Sequence, residues 1–154
     1  MFICAHCPFV KHIEKHIAKL VDDFGNVIQT VAISSNDIKT HPGDSPDNLK
    51  KQAEINGWTF PYLYDETQDF AKRLKAACTP DFYLFANQGN SDFSLFYHGQ
   101  LDNSRPSNNV PVTGVDLISA IKAMSEEKVY QDKQIPSLGC NIKWTPGNEP
   151  YWFK

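Results

Sequence analysis

The sequence predicts an α/β fold with a mixed central sheet and helices on both of its faces. Helical and strand-like segments alternate along the first half of the chain, a hairpin-like pair of strands follows, and one more helix comes after it. With 154 residues, of which 41% are hydrophobic, the chain is long enough to bury one core. We therefore expect one domain over residues 1–128, with a C-terminal tail, residues 129–154, packed on the same domain.

The first strand-like segment is very short, because only "MFI" precedes the first cysteine. The helix after it is predicted from apolar residues that recur at steps of three and four, with Gly25 as a stop signal. These apolar positions are Val10, Ile13, Ile17, Leu20, Val21 and Phe24.

Four elements are predicted in the middle of the chain. The β-branched segment "NVIQTVAISS" indicates a buried strand. Ser45 is expected to cap a helix that opens with Pro46. The short "FPYLYD" indicates another strand, and the helix after it is expected to begin with a capping box of Asp65 and Gln68 and to end near Ala77.

The second half of the chain predicts a hairpin and a last helix. The segments "DFYLFA" and "FSLFYHG" indicate antiparallel strands joined by a longer loop, "NQGNSD". The last helix is expected to be capped by Thr113 with Asp116. From Tyr130 onward the tail has no clear period, and we expect it to lie over the body of the domain.

Charge and hydropathy exclude several classes of partner. The net charge is -3 and the basic residues are scattered, which argues against a nucleic-acid partner. No apolar segment approaches the roughly 18 residues of a membrane span, so no membrane partner is predicted. The first twenty residues carry histidines and lysines where a signal peptide would be apolar, so we expect a cytoplasmic protein unless an upstream segment carries an address signal.

The Cys-x-x-Cys pair, Cys4 and Cys7, comes directly after the short strand and at the expected start of a helix. The helix dipole and unpaired N–H groups would lower the pKa of the first cysteine, and the second sulfur could close a disulfide. His6 would lower that pKa further when protonated. The alternative is zinc, held by the four cysteines or by a histidine among them; a second Cys-x-x-Cys is missing, so we predict redox chemistry with no metal and no cofactor. The four cysteines are Cys4, Cys7, Cys78 and Cys140.

A second signal is "AACTPDFYLF", in which Thr79 and Pro80 stand directly before a predicted strand. Together with the cysteine pair it resembles the thioredoxin fold, in which a cis-proline loop lies beside the Cys-x-x-Cys. More closely, "FICAHCPFVKHI", "AISSND", "FPYLYDETQ", "ACTPDFYLF", "LDNSRP", "PVTG" and "SLGCNIKW" resemble a peroxiredoxin-like branch of the thioredoxin family, in the redoxin (alkyl hydroperoxide reductase/thiol-specific antioxidant) group.

This resemblance implies a thioredoxin-like fold in which Thr79 and Pro80, joined by a cis bond, shape a substrate groove beside the cysteines. It also implies that Arg105, in "DNSRP", stabilises a thiolate. Members of the branch look to have strands upstream of the motif, so the N-terminal strand is truncated here to "MFI".

The chain departs from both relatives at the motif. Thioredoxins have Trp before the first cysteine and Gly-Pro inside the pair, whereas this chain has Ile3 and then Ala5 and His6. Peroxiredoxins carry Pro-x-x-x-Thr-x-x-Cys, and alignment on Cys7 puts Cys4 at the threonine position.

We predict a thiol-disulfide oxidoreductase with Cys4 as nucleophile and Cys7 as its resolving partner, acting on protein or small-molecule disulfides and thiols. Cys78 and Cys140 are candidate resolving thiols. One alternative is a thiol peroxidase that reduces hydroperoxides through Cys7. The other is a redox-inert domain that binds zinc or a partner protein.

Overall fold

The structure, a computed structural model, describes residues 1–153. The last residue of the predicted tail, 154, lies outside the described residues. The elements in chain order are α1 (Pro8–Phe24), β1 (Ala32–Ser34), a 3-10 turn (Pro42–Asp44), α2 (Pro46–Asn56), β2 (Tyr62–Tyr64), α3 (Asp69–Leu74), β3 (Cys78–Thr79), β4 (Phe82–Gly89), β5 (Asp92–Gly99), α4 (Val115–Ser125) and β6 (Cys140–Asn141).

The short segment before the first cysteine joins the two halves of the sheet. Strands β1 and β2 pair in parallel, and β4 and β5 pair antiparallel. Between them, Phe2 forms a parallel bridge to Ile33 and an antiparallel bridge to Asp81. The N–H of Phe2 donates to Asp81 O at 2.8 Å, and the N–H of Ile3 donates to Ile33 O at 3.0 Å. The segment is therefore paired on both edges, and the mixed α/β fold is confirmed.

The apolar stripe of α1 packs into the main core, as its periodicity predicted. Val10, Ile13, Ile17 and Leu20 are buried there. A second, smaller cluster contains Ile142 and Trp144 of the tail, packed with Phe2, Ala71 and Ala76. The tail therefore covers the end of the sheet next to the cysteines. Within residues 1–153, no helix combines the length and apolarity that a membrane crossing requires.

Two helix starts differ from the sequence prediction. The Asp65 carboxylate accepts hydrogen bonds from the N–H groups of Phe70 and Ala71, but the Gln68 side chain does not complete a capping box, because it bonds instead to Ser35 O and to the tail. Helix α3 ends at Leu74 rather than near Ala77.

At α4 the N-cap is Gly114 and not Thr113. The Asp102 carboxylate accepts from the N–H groups of both residues at 2.6 Å. A carboxylate from a distant loop therefore replaces the expected local cap, a contact that sequence spacing does not encode.

Strand lengths also differ from prediction. Regular pairing of β1 is limited to Ala32–Ser34, within the longer β-branched segment. The β4–β5 hairpin closes through Asn90 and Ser91 alone, instead of through a longer loop. Both turn residues have positive φ, 52° and 62°, the combination that a two-residue hairpin turn requires.

Candidate redox site

The two cysteines of the pair are buried side by side, on the turn that connects the N-terminal strand segment to α1. Cys4 and Cys7 are both 0% exposed, and each thiol shifts the pKa of the other. Helix α1 begins at Pro8, which makes Cys7 its N-cap. The sequence analysis put the helix start at Cys4; the favourable end of the helix instead serves Cys7.

Thr79 contacts both sulfurs from the neighbouring strand. Its hydroxyl lies 3.3 Å from Cys4 Sγ, and its carbonyl oxygen accepts a hydrogen bond from the Cys7 thiol at 3.2 Å. The peptide bond between Thr79 and Pro80 is cis. The structure thus brings the two sequence signals together, while the role of Thr79 and Pro80 as a substrate groove stays a prediction.

A buried aspartate fixes the turn between the cysteines. Asp44 Oδ1 accepts from the N–H groups of Ala5 and His6 at 2.8 and 3.0 Å, and Oδ2 accepts from Asn36 Nδ2 at 2.8 Å. His6 Nδ1 lies 2.5 Å from Asp44 Oδ2 and 3.9 Å from Cys4 Sγ. Four donors therefore converge on one carboxylate whose side chain is fully buried.

A glutamine on α2 holds the backbone of the first cysteine. Gln52 Nε2 donates to Cys4 O at 3.2 Å and to Glu14 Oε1 at 2.7 Å, while its Oε1 accepts from the hydroxyl of Tyr62. Sequence reasoning missed Gln52, Asp44 and Asn36. A glutamine in an otherwise polar helix and an aspartate in a polar loop carry no local pattern that marks them as buried.

The two thiols are shifted in opposite directions. The pKa of Cys4 is raised, because it donates its hydrogen bond to Cys7, because it is buried, and because the negative charge of Asp44 lies nearby; the Thr79 hydroxyl opposes this. The pKa of Cys7 is lowered, mainly by the hydrogen bond that it accepts from Cys4 and against the effect of burial. Cys140 and the N–H of Val10 lower the pKa of Cys7 further.

One contact works against the Cys7 thiolate. Only the protonated Cys7 can donate to Thr79 O, so deprotonation gives up that bond. The pKa of Cys7 is nevertheless lowered and that of Cys4 raised. The motif by itself points to Cys4 as the nucleophile, and which of the two thiols attacks stays a prediction.

The other two cysteines, Cys140 and Cys78, occupy different positions relative to the pair. Cys140 lies opposite Thr79 in the β3–β6 ladder and packs against the core cluster that contains Cys7. Cys78, on β3, points its thiol toward Pro80 O and Ser137 O. Burial is the largest of the causes that raise the pKa of Cys78 to about 12. Of the two candidate resolving thiols, Cys140 is the one that also lowers the pKa of Cys7.

Arg105 is engaged away from the pair. Its guanidinium donates to the carbonyl oxygens of Asp102 and Ser104 and to Gln100 Oε1. It also lines a cavity of about 20 Å³ beside Pro80. These contacts do not support the predicted role of Arg105 in stabilising a thiolate of the pair, and that role stays a prediction.

The one group of three potential metal ligands found within residues 1–153 is Cys4, His6 and Asp44, with ligand atoms within 4.8 Å of one another. The cysteines Cys78 and Cys140 do not join it, so the four-cysteine set of the zinc alternative does not assemble among the described residues. The Asp44 oxygens are already used by hydrogen-bond donors, and His6 Nδ1 is too close to Oδ2 for both atoms to bind one tetrahedral zinc without rearrangement. The geometry fits a hydrogen-bonded support for the turn better than a metal site.

Comparison with known proteins identifies the family. A family model described as the AhpC/TSA family matches residues 1–91. The chain belongs to the AhpC/TSA family.

Two solved structures resemble this AhpC/TSA chain over most of its length. An uncharacterized conserved protein from Geobacillus kaustophilus is 51% identical, with a TM-score of 0.89, over 96% of this chain and 76% of the other. A hypothetical protein from Sinorhizobium meliloti 1021 is 42% identical, with a TM-score of 0.88, over 95% of this chain and 78% of the other. No curated protein gives a significant match.

Membership in the AhpC/TSA family confirms the thioredoxin-like fold and the peroxiredoxin-like resemblance. It supports a thioredoxin-like redox function on thiol or peroxide substrates in general. The reaction itself has to be argued from the site.

Proposed function

We propose that this chain is a thiol-disulfide oxidoreductase in which Cys7 attacks the substrate and Cys4 resolves the intermediate. The observations that carry the proposal are the burial of both thiols against Thr79 and the opposite shifts of their pKa values, lowered for Cys7 and raised for Cys4. A thiolate is the attacking form in disulfide exchange, and a protonated neighbour within contact distance is ready to close the disulfide. The roles are the reverse of those that the motif suggests by itself.

The reaction balances as follows. The Cys7 thiolate attacks one sulfur of a substrate disulfide, forms a mixed disulfide and expels the other substrate sulfur as a thiolate. Cys4 then loses its proton and attacks Cys7 Sγ, which releases the first substrate sulfur. The enzyme pair is oxidised to a Cys4–Cys7 disulfide, and the substrate disulfide is reduced to two thiols.

The second step needs an acceptor for the Cys4 proton. The carboxylate of Asp44 lies within 4.8 Å of Cys4 Sγ. Once the mixed disulfide has formed, Cys7 no longer carries the negative charge that holds the Cys4 proton in place. The pKa of Cys4 then falls, and the proton can pass to Asp44.

A second candidate function is a thiol peroxidase, in which Cys7 reduces a hydroperoxide and becomes a sulfenic acid before Cys4 closes the disulfide and releases water. The AhpC/TSA match and the low pKa of Cys7 favour it. Two features argue against it: Cys4 stands where peroxiredoxins have their threonine, and the Arg105 guanidinium bonds to Gln100 and to backbone carbonyl oxygens. Disulfide exchange is therefore the better supported of the two.

The test is to measure turnover of a protein disulfide, such as insulin, and of hydrogen peroxide on the same preparation, with its metal content determined. Disulfide turnover well above peroxide turnover supports the proposal. Preferential turnover of peroxide would replace it with the peroxidase. Stoichiometric zinc together with neither activity would return the chain to the redox-inert alternative.

A further inference from the structure

The small cavity beside Pro80 begins close to the pair. Its wall includes Pro80, which follows Thr79, and Phe9, which comes two residues after Cys7. Because consecutive Cα atoms are about 3.8 Å apart, the Cα atoms of Phe9 and Cys7 lie within about 7.6 Å of each other. Thr79 itself contacts both sulfurs of the pair. A group held in this cavity and a sulfur held at Cys7 can therefore belong to one small molecule.

Most of the wall of this cavity is apolar, and its volume is small. The apolar side chains come from α1, from the start of β4 and from the segments beside them: Phe9, Ile13, Pro80, Phe82, Leu101 and Leu138. Leu138 is 58% exposed, so the cavity lies at the surface. Its volume of about 20 Å³ has room for one group little larger than a water molecule. The cavity therefore fits the end of a ligand and not a whole ligand.

Arg105 brings a positive charge to the polar side of the wall. The three hydrogen bonds of its guanidinium go to neutral oxygens: Asp102 O, Ser104 O and Gln100 Oε1. Among residues 1–153, no carboxylate oxygen lies within 4.0 Å of the guanidinium nitrogens. Arg105 is half-buried, and a cation that water solvates only in part is costly without a counter-charge. The site therefore favours an anionic ligand.

Asp102 also lines the cavity, but its carboxylate does not neutralise Arg105. That carboxylate accepts hydrogen bonds from the N–H groups of Ser104, Thr113 and Gly114. Only the main-chain oxygen of Asp102 contacts the guanidinium. The negative charge is thus taken up by main-chain donors, and the positive charge of Arg105 remains available.

A buried glutamine holds the guanidinium in place. Gln100 is 2% exposed, and its Nε2 donates to Asn103 Oδ1 at 2.8 Å and to Asp116 Oδ2 at 2.7 Å. Its Oε1 is therefore left to accept from Arg105 Nη2. A guanidinium has five N–H donors, and its three bonds leave two of them, on Nε and Nη2, without an acceptor in the described part of the chain. A carboxylate binds such a pair of donors through two parallel hydrogen bonds.

We propose that Arg105 binds a carboxylate of the substrate disulfide in this cavity, so that the protein acts preferentially on low-molecular-weight disulfides with a carboxylate a few bonds from the sulfur. This inference rests on the proposed function and names its class of substrate. It assigns Arg105 to substrate recognition and not to the thiolate, in agreement with the contacts that hold the guanidinium away from the pair.

The reaction stays balanced with this substrate. The Cys7 thiolate attacks the sulfur of the half-molecule whose carboxylate is bound, and the other half leaves as a thiolate that takes up a proton. Cys4, after losing its proton, attacks Cys7 Sγ and releases the bound half as a second thiolate. In a single turnover, one substrate disulfide is reduced to two thiols and the two cysteine thiols are oxidised to one disulfide, with no further reagent.

The test uses three disulfides of similar length and different charge. Dithiodipropionate carries carboxylates, hydroxyethyl disulfide is neutral, and cystamine carries ammonium groups. Each is mixed in excess with reduced protein, the reaction is quenched with acid over time, and free cysteines are counted by alkylation and mass spectrometry. The proteins are wild type, Arg105→Gln, Arg105→Lys and, as a matched control, Arg73→Gln, which removes an exposed arginine from α3.

For each disulfide, the rate constant of a variant is divided by that of wild type, so that differences in intrinsic reactivity cancel. We expect Arg105→Gln to be at least about tenfold slower with dithiodipropionate, because charge-assisted bonds to the carboxylate are lost. Its rate with hydroxyethyl disulfide should stay near that of wild type, and its rate with cystamine should not fall. Arg105→Lys keeps the charge without the planar fork and should lie between wild type and Arg105→Gln. Arg73→Gln should match wild type with all three.

Selectivity by charge separates substrate binding from a structural role. If Arg105→Gln slows all three disulfides by the same factor, or slows none of them, the assignment of Arg105 is overturned and the proposed function stands. If wild type forms no Cys4–Cys7 disulfide with these compounds or with insulin, the proposed function fails, and this inference with it. Thermal melting checks the fold of each variant. If Arg105→Gln does not fold, Arg105→Lys decides: a loss confined to dithiodipropionate supports the assignment, and equal rates or equal losses contradict it.

Discussion

The surroundings of Cys4 and of Cys7 differ, although both thiols are buried and both contact Thr79. On the Cys4 side lies the buried carboxylate of Asp44, which makes a second negative charge costly. On the Cys7 side lie the first turn of α1 and Cys140 of the tail, which lower the pKa of Cys7. The comparison teaches that the order of two cysteines in a motif does not decide which one reacts; the groups that fold against each of them do.

The largest expected effect comes from exchanging one sulfur at a time. Cys7→Ser removes the attacking thiolate and should abolish turnover of a protein disulfide. Cys4→Ser retains Cys7 and offers a hydroxyl donor in place of the thiol, so it should still attack once and accumulate a mixed disulfide with the substrate. Mass spectrometry of the unreduced protein distinguishes the two variants, and Cys78→Ser is the control. A mixed disulfide that accumulates in Cys7→Ser would reverse the roles.

The next effect concerns the tail side of Cys7. Gly139→Ala places a methyl group against Thr79 O, a main-chain atom that cannot turn aside, so overpacking should lower the free energy of unfolding by about 1–3 kcal/mol. The pKa of Cys7 should rise, because Cys140, which lowers it, is moved away. Urea unfolding and a thiolate titration at 240 nm measure the two effects.

Gly43→Ala is the control for this substitution, because a Cβ there meets only His6 Cβ at an ordinary 3.7 Å. If both alanine variants behave like wild type, the β3–β6 pairing is not what stabilises the Cys7 thiolate.

A smaller effect is expected on the Cys4 side. Asp44→Asn removes the negative charge, so the pKa of Cys4 should fall. It also replaces one acceptor oxygen by an NH2 group, which would face a donor such as Asn36 Nδ2. The lost hydrogen bond should lower the free energy of unfolding by about 1–3 kcal/mol. Asp22→Asn, at an exposed position of α1, is the matched control. An unchanged Cys4 pKa in a folded Asp44→Asn protein would show that the carboxylate does not set the difference between the thiols.

The spacing of apolar residues predicted those helices and strands whose position depends on which face is buried. The periodicity of α1 and the alternation of β4 and β5 follow from which face of each element is buried, and both were found. The cysteine pair and Thr79 were recognised because they resemble a known family. Strand limits and caps were predicted less well, because Asp102 and Gln68 make their bonds to residues that local spacing does not identify.

The site residues that were missed share one property: each acts across a long stretch of chain. Asp44 binds the turn at His6 from 38 residues away, and Asn36 bonds to Lys143 across 107 residues. Cys140 was named from the sequence, but its register opposite Thr79 was not predicted. No spacing in the sequence encodes such contacts, which depend on how the finished sheet and tail come together.

The most direct test of the central claim is a pH titration of the reduced wild-type protein, followed by the NMR chemical shifts of the cysteine Cβ carbons. Each Cβ reports the protonation of its own sulfur. The pKa of Cys7 is lowered and that of Cys4 is raised. The Cβ shift of Cys7 should therefore change below the ordinary thiol pKa of about 8.5, whereas the Cβ shift of Cys4 should not change there, because the Cys4 thiol stays protonated. Titration of Cys4 first, with Cys7 protonated at neutral pH, would contradict the account.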